Sequence, residues 1–503
     1  MEYKQPCIRE YLALAIFSFL VFCPSLKNGF VWDDKGIIFD QIHRLKGLEI
    51  YKPQSIYYRP LAQTSFLLDY LVWGYRPLGY HLTNIILHTA NVLLFFILVR
   101  NITIRLKVEI DRFVPFLLAL IFALHPVHVE SVSWIAGRTD ILVSLFSLLA
   151  LIASQFYWTT RDKKLLLLVL VFFGLALASK EMAVVLVPIL LIESFFTAPM
   201  FYQTQRDKIF NVCFLLIAGL ALFYSSSKIP GLRMYGWHFD LPSLIKANGF
   251  YLKSLLFPWP FCSYMPYIPS WGTWVSAGFV LTTGLLFFLV FKENRLHAQS
   301  GLVYLIEFLF CLLPVLALIV FHIGATPVAW RYLYMPSIFF ILGAGIWITR
   351  LKKPRFVLLG LCCCFFAITI THQSIWRDNF HFWREAIPRV GKDYAIPHHQ
   401  YALALWKRGD LKEAEKHFIL ALKAKDIQAY PWEKAIVYTN LGRFYASQEK
   451  WQKAYLCFKR ALYYNPQYKP ALCSLGRLYY TLYQRNHKKE LWQKAQKLLK
   501  KCH

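Results

Sequence analysis

Most of this chain before residue 372 is a succession of apolar runs, each close to the length that crosses a bilayer. A membrane-spanning helix needs roughly 17–25 predominantly apolar residues. Such runs fall near 11–26, 82–99, 113–129, 141–157, 165–178, 183–196, 210–225, 275–291, 302–321, 333–348 and 356–371, about eleven in all. They predict a polytopic all-α membrane domain. Composition agrees: 57% of residues are hydrophobic, against about 45–50% in an ordinary soluble domain. The first run lacks a small-x-small cleavage site before Asn28, so it reads as a signal anchor.

The basic residues give this succession a direction. Clusters at Arg100, Arg105, Lys107 and Arg112, at Arg161, Lys163 and Lys164, at Arg206 and Lys208, at Lys292 and Arg295, and at Arg350, Lys352, Lys353 and Arg355 each follow an even-numbered run. Positive charge stays on the cytoplasmic side, so the N-terminus with Lys4 and Arg9 is expected there. The opposite face then receives the long first loop (27–80), the segment 125–140, the turn Ser179-Lys180-Glu181, the loop 322–331 and everything after 372. The stretch 246–271, with Pro258, Pro260, Pro266 and Pro269, reads as an interfacial or re-entrant element on that face. The net charge of +28 would suggest nucleic acid in a soluble protein. Here the cations sit in short loops and in the tail, which fits an anionic membrane surface and no nucleic acid. Eleven cysteines show neither metal-ligand spacing nor a disulfide framework.

The tail has a different period. Tyr438, Leu441, Gly442, Tyr445, Ala454, Phe458, Ala461 and Pro466 fit the tetratricopeptide (TPR) pattern, and Gly476 follows Gly442 by 34 residues. An earlier unit fits Tyr401, Ala402, Leu405, Ala414, Phe418 and Ala421. The expected domains are a membrane domain over 1–372, a linker over 373–393, and about three repeats over 394–503 forming an α-solenoid.

Polar residues concentrate on the predicted outer face. Asp33 and Asp34 open the first loop, and acids beside a membrane are costly unless they have a role. In an extended segment they point to opposite sides. Asp33 is favoured as a catalytic base, with Trp32 pointing away as a membrane-interface anchor. Asp34 would then orient the loop or pair with a cation such as Arg59. His81, Asn84, His88 and Asn91 share one helix face. His88 and Asn91 read as interhelical packing, and His81 as a residue facing a cavity. The run from His125 through His128 and Glu130 to Arg138 and Asp140 is dense in titratable groups. His125 and His128 have helical ligand spacing, but Pro126 breaks the turn and no carboxylate cage accompanies them, so no metal set is assigned. Lys180-Glu181 reads either as an ion pair at a tight turn or as a phosphate-binding Lys. Arg331 reads as a bidentate phosphate clamp or a snorkelling interfacial residue. Acids and cations on one face suit glycosyl transfer from a lipid-phosphate sugar, in which an acceptor hydroxyl loses a proton and a phosphate leaves.

Taken together, Phe30-Val31-Trp32-Asp33-Asp34, Tyr58-Arg59-Pro60-Leu61, His81-Leu82-x-Asn84 with His88, the run from Leu124 to Asp140, Ser179-Lys180-Glu181 and Arg331-Tyr332-Leu333-Tyr334 resemble the transmembrane-and-TPR protein O-mannosyltransferases, in the same order and with a repeat tail. The resemblance implies a GT-C fold and inverting transfer of a hexose from a polyprenyl-phosphate donor to a protein Ser/Thr hydroxyl. It also implies a general base within the acidic pair Asp33/Asp34. Arg138, Lys180 and Arg331 are the expected donor-phosphate ligands. Arg59, His81, His128, Glu130, Asp140 and Glu181 are expected to line the site. No cofactor is assigned, although a divalent cation is compatible with the chemistry. The protein acceptor is expected on the repeat tail. The chain departs from the family in its short array and in Trp330, which stands before Arg331 where an acid is expected. The short array and compact loops point to a prokaryotic cytoplasmic membrane with the tail outside. An endoplasmic-reticulum enzyme would instead have a luminal tail. Competing readings are an O-antigen-type polymerase or ligase, whose functional loop is expected late in the membrane domain, and a non-catalytic scaffold recruiting partners through its tail. A transporter would place its polar residues near the midplane.

Overall fold

The structure is a computed structural model that describes residues 8–45, 59–105, 111–197, 240–259, 261, 263–269, 273–275, 277–278, 296–320, 326–429 and 431–501. Among these residues the regular structure is helical throughout, with no strand. The chain divides into two compact units, Met1–Phe261 with Met265–Asp378, and Cys262–Tyr264 with Asn379–His503.

In the first unit, α1 (Ile8–Phe22) leads into a short 3₁₀ turn and the first loop. That loop is largely helical where described. It holds α2 (Asp34–Leu45) and the apolar α3 (Pro60–Trp73), which starts with proline at its first position, where a missing N–H costs nothing. Then come α4 (Pro77–Arg105), α5 (Phe113–Leu124), α6 (Val129–Ser133), α7 (Arg138–Thr160), α8 (Lys163–Ser179) and α9 (Leu186–Thr197). After these come α10 (Leu241–Leu256), α11 (Leu296–Val320), α12 (Pro336–Ile348) and α13 (Pro354–Gln373). Among the described residues four helical stretches are long and apolar enough to cross a membrane, Ile8–Lys27, Pro77–Arg105, Ile135–Thr160 and Pro354–Arg377. The bent pair Phe113–Leu124 and Pro126–Ser133 makes a fifth if it is one span, and Gly301–Ala317 and Pro336–Ile348 are shorter apolar helices. The runs expected at 210–225 and over most of 275–291 lie outside the described residues.

α4 is the central helix of this unit and packs on α1, α5 and α7. Part of its polar face is engaged internally. His88 Nδ1 lies 2.6 Å from the Tyr334 hydroxyl, and Asn91 donates to Ile141 O at 3.0 Å and to Tyr334 at 3.1 Å. This is the interhelical polar contact expected of His88 and Asn91. The break after α5 has a local cause. Pro126 disfavours helical geometry at the preceding residue, and His125 is extended at φ −65°, ψ 126°. The axis bends by 42°. The chain then runs through a 3₁₀ turn, α6 and a second 3₁₀ turn before α7 begins. All of residues 126–140 are buried, so this broken backbone is shielded by protein, the condition under which irregular chain persists at membrane depth.

The second unit starts earlier than the expected repeats. α14 (Asn379–Val390) occupies the segment read as a linker, and Ser263 donates its N–H and hydroxyl to Glu385 at 3.0 and 2.7 Å. Three helix pairs follow: α15 (Ala395–Arg408) with α16 (Leu411–Lys423), α17 (Pro431–Ser447) with α18 (Trp451–Tyr464), and α19 (Lys469–Asn486) with α20 (Lys489–Lys500). One core of small and large side chains, including Ala402, Ala414, Phe418, Phe444, Ala454 and Phe458, runs through the pairs. Gly442 permits the close approach of α17 and α18, because a Cβ there would meet the Phe458 ring at 2.5 Å.

Candidate functional site

Several of the residues expected at the site are joined by pairs that cross the sequence. Val31 N–H donates to Asp34 Oδ2 at 2.8 Å, and Ala136 N–H donates to Asp34 Oδ1 at 3.0 Å. Asp34 is 1% exposed. It therefore closes the turn that starts α2 and pins the first loop to the 134–137 segment. Burial pushes its pKa well up, against the Val31 N–H, with the neighbouring Asp33 adding to the rise and the Ala136 N–H and Arg138 opposing it. Asp33 differs. Its side chain is exposed, yet the surrounding protein displaces enough water to raise its pKa, while Arg331 and a backbone N–H oppose the rise. Trp32, between Val31 and these acids, has φ 56°. Its indole stacks on Trp134 at 5.2 Å and 19°, and Trp134 stacks in turn on Trp376 at 5.8 Å.

Arg331 sits against this stack. Its guanidinium carbon is 5.7 Å from the Trp32 ring, 5.4 Å from Trp134 and 4.7 Å from Tyr332. Its side chain pairs with Glu130, and its backbone N–H donates to the same carboxylate at 3.0 Å. The guanidinium also donates to Thr326 at 3.0 Å. Trp330, the departure from the family pattern, is 2% exposed and packs edge-on against Phe261 at 4.8 Å. It fills the core where a charge would be unsatisfied.

The same pairing recurs twice more. Lys180 Nζ lies 2.5 Å from Asp140 and 5.2 Å from the Tyr332 ring, so Tyr332 is shared by Arg331 and Lys180. Arg59 donates from Nε and Nη2 to Glu181 at 2.9 and 2.6 Å. Burial tends to raise the Glu181 carboxyl, but the Arg59 pair and then Lys180 outweigh it and hold the pKa at about 2. Lys180 and Glu181 thus pair with other residues rather than with each other, and Arg59 binds Glu181 rather than Asp34.

Arg138 lies apart from the open part of the site. It is fully buried, pairs with Asp69, donates to Asn84 Oδ1 at 2.7 Å and Tyr80 O at 2.9 Å, and lies over the Phe66 ring. It joins α3, α4 and α7. Removing one partner of such a buried pair costs about 3–5 kcal/mol, so its role here is to hold the frame. His81 is buried beside the backbone of Asn28 and Gly29. His128 belongs to the interior, 2.9 Å from Ser337 Oγ and packed on Phe122 and Tyr334. His125 Nε2 lies 3.1 Å from Leu255 O. Among the described residues no three His, Cys, Asp or Glu side chains are grouped to hold a metal ion. The reading of the sequence missed Asp69, Trp134 and Tyr332 as members. Trp134 and Tyr332 stood inside the quoted motifs, whereas nothing around Asp69 marks it.

The site holds an exposed carboxylate under the electrostatic influence of a guanidinium that lies against three aromatic rings, one of which it shares with an ammonium. No family model matches the chain, and no solved structure matches it. Curated proteins do. A Caenorhabditis elegans protein named Protein O-mannosyl-transferase F38B6.6 is 26% identical over 83% of this chain and 63% of its own length. Mouse Protein O-mannosyl-transferase TMTC4 is 27% identical over 75% of the chain and 61% of its own length, and human TMTC3 is 24% identical over 86% and 53%. Over most of its length the chain is similar to these O-mannosyl-transferases. It spans less than two thirds of the length of these relatives. It is a membrane protein. The relatives named here are animal proteins and lend no support to a prokaryotic source.

Proposed function

We propose that this chain is a GT-C-type glycosyltransferase that moves a hexose, mannose by likeness to the names of its relatives, from a polyprenyl-phosphate donor to a Ser or Thr hydroxyl of a protein. The observation that carries the reading is the exposed Asp33 carboxylate within the electrostatic influence of Arg331, whose guanidinium shares the Tyr332 ring with Lys180. Asp33 accepts the proton of the acceptor hydroxyl as its oxygen attacks the anomeric carbon from the face opposite the phosphate. The bond from that carbon to the phosphate oxygen breaks, and polyprenyl phosphate leaves with the electron pair. The configuration inverts. Arg331 and Lys180 stabilise the charge that grows on the leaving phosphate, while Glu130 and Asp140 hold these cations in place before the donor arrives.

The test is a purified full-length protein supplied with polyprenyl-phosphate mannose and, separately, other polyprenyl-phosphate hexoses, with a Ser/Thr-rich protein acceptor. Release of polyprenyl phosphate matched by sugar on the acceptor is the expected result. Absence of both with every donor, from folded protein, would refute the assignment.

A further inference from the structure

The two neighbouring acids have opposite fates, one buried and one exposed, and a single residue stands immediately before them. Trp32 adopts the left-handed region at φ 56°, where a bulky side chain is strained. Strain of this kind persists only when the surroundings over-determine it. Here they do. Val31 before it is 2% exposed and donates its N–H to Asp34, whose own N–H returns to Val31 O at 3.1 Å. Asp34 is locked to Ala136. The indole lies flat on Trp134, and the Arg331 guanidinium faces both rings at 5.7 and 5.4 Å.

We infer that Trp32 is a positioning residue: its stack on Trp134 under Arg331 holds the left-handed turn that leaves Asp33 exposed while Asp34 is buried. The inference rests on Asp33 being the base. Stacking and cation–π contact oppose the strain. Without the indole the turn is free to relax to ordinary φ, and a one-residue change of direction redistributes which carboxylate faces outward.

Side-chain size and backbone freedom make opposite demands here, and the test uses that. Trp32→Ala removes the stack and keeps the strain. Trp32→Gly also removes the stack, but glycine adopts positive φ at no steric cost. Trp32→Phe keeps a ring. In the full-length protein kcat should fall about 10- to 100-fold in Trp32→Ala, the scale of a small misplacement of a reacting group. The donor KM should be unchanged. Trp32→Gly should retain more kcat than Trp32→Ala despite losing more of the side chain, and Trp32→Phe should restore most of the rate. Equal losses in the Ala and Gly variants with a raised KM would make Trp32 a substrate platform and overturn the inference.

A second measurement does not depend on activity. In Asp33→Cys protein carrying a cysteine-free background, the labelling rate of residue 33 by a water-soluble thiol reagent should fall with Trp32→Ala and recover with Trp32→Gly. Identical labelling in all three backgrounds would refute positioning whatever the enzyme does. The expected labelling pattern in a protein that transfers no sugar would refute the transferase reading and leave the role of Trp32 in the turn intact.

Discussion

At the residue scale the decisive difference is between two adjacent aspartates. Asp34 spends both oxygens on backbone N–H groups, and Asp33 keeps its carboxyl exposed, within the electrostatic influence of Arg331. A hydroxyl at neutral pH needs a base, and removing one costs about 10²–10⁴-fold in turnover. Asp33→Asn should lower kcat by that amount with donor affinity retained, read by measuring turnover and donor binding separately. The base acts only when deprotonated. Its pKa is raised from 3.8, so activity should fall as pH drops through a value above that ordinary aspartate one. Arg331 favours the charged form, so Arg331→Gln should move that acidic limb to higher pH in a kcat/KM profile. A limb that stays in place would separate Asp33 from the rate. In an extended strand, alternation alone would separate the two acids, whereas the chain turns into α2 through a left-handed Trp32, a conformation that no residue type at that position announces.

At the element scale, the apolar runs were legible because burial in a bilayer leaves a long compositional trace. α1, α4, α7 and α13 each cover an expected run. The break at His125-Pro126 was legible too, since proline acts locally. Helical α2 and α3 inside the first loop were not, because a loop is what remains when no run reaches spanning length. The pairings were also out of reach. Six of the charged residues expected at the site form three pairs, Arg331 with Glu130, Lys180 with Asp140 and Arg59 with Glu181. The inventory of acids and cations is local, but partner choice depends on how α3, α6, α7 and the turns at 181 and 331 meet. The 126–137 segment is the most exacting of these elements, because it presents Glu130 to Arg331, Trp134 to Trp32 and the Ala136 N–H to Asp34. Gly137 is its tight point. A Cβ there would lie 2.6 Å from Ser131 O and 2.8 Å from Ser131 Cα, both backbone atoms. Gly137→Ala must therefore move the segment itself. Thermal stability should fall by about 1–3 kcal/mol, the range for overpacking, and turnover should fall further than stability alone explains. Wild-type melting and turnover in Gly137→Ala would show that the segment tolerates displacement.

At the scale of the whole molecule, a membrane unit carries the open carboxylate and a separate helical unit follows it. The segments around 33, 130, 180 and 331 converge although they are far apart in sequence. We propose, from the placement of the basic clusters, that they share one side of the membrane with the tail. We propose that the three helix pairs around a common core receive an extended stretch of the acceptor polypeptide, as stacked helical repeats do. If donor chemistry belongs to the first unit and acceptor capture to the second, the two activities should separate. Removing residues 379–503 should leave slow hydrolysis of the polyprenyl-phosphate sugar by water near the full-length rate. Transfer to a protein acceptor should fall at least about tenfold, the scale of losing one anchoring contact worth about 1.4 kcal/mol. The shortened protein must first be shown monodisperse, with a melting transition for its membrane unit. A reporter active only in the cytoplasm, fused after residue 503 of the intact chain, should be silent. Undiminished transfer by the folded membrane unit would remove the tail from acceptor binding. A bright cytoplasmic reporter would place the tail, and with it the acid-bearing loop, on the wrong side for an extracytoplasmic enzyme.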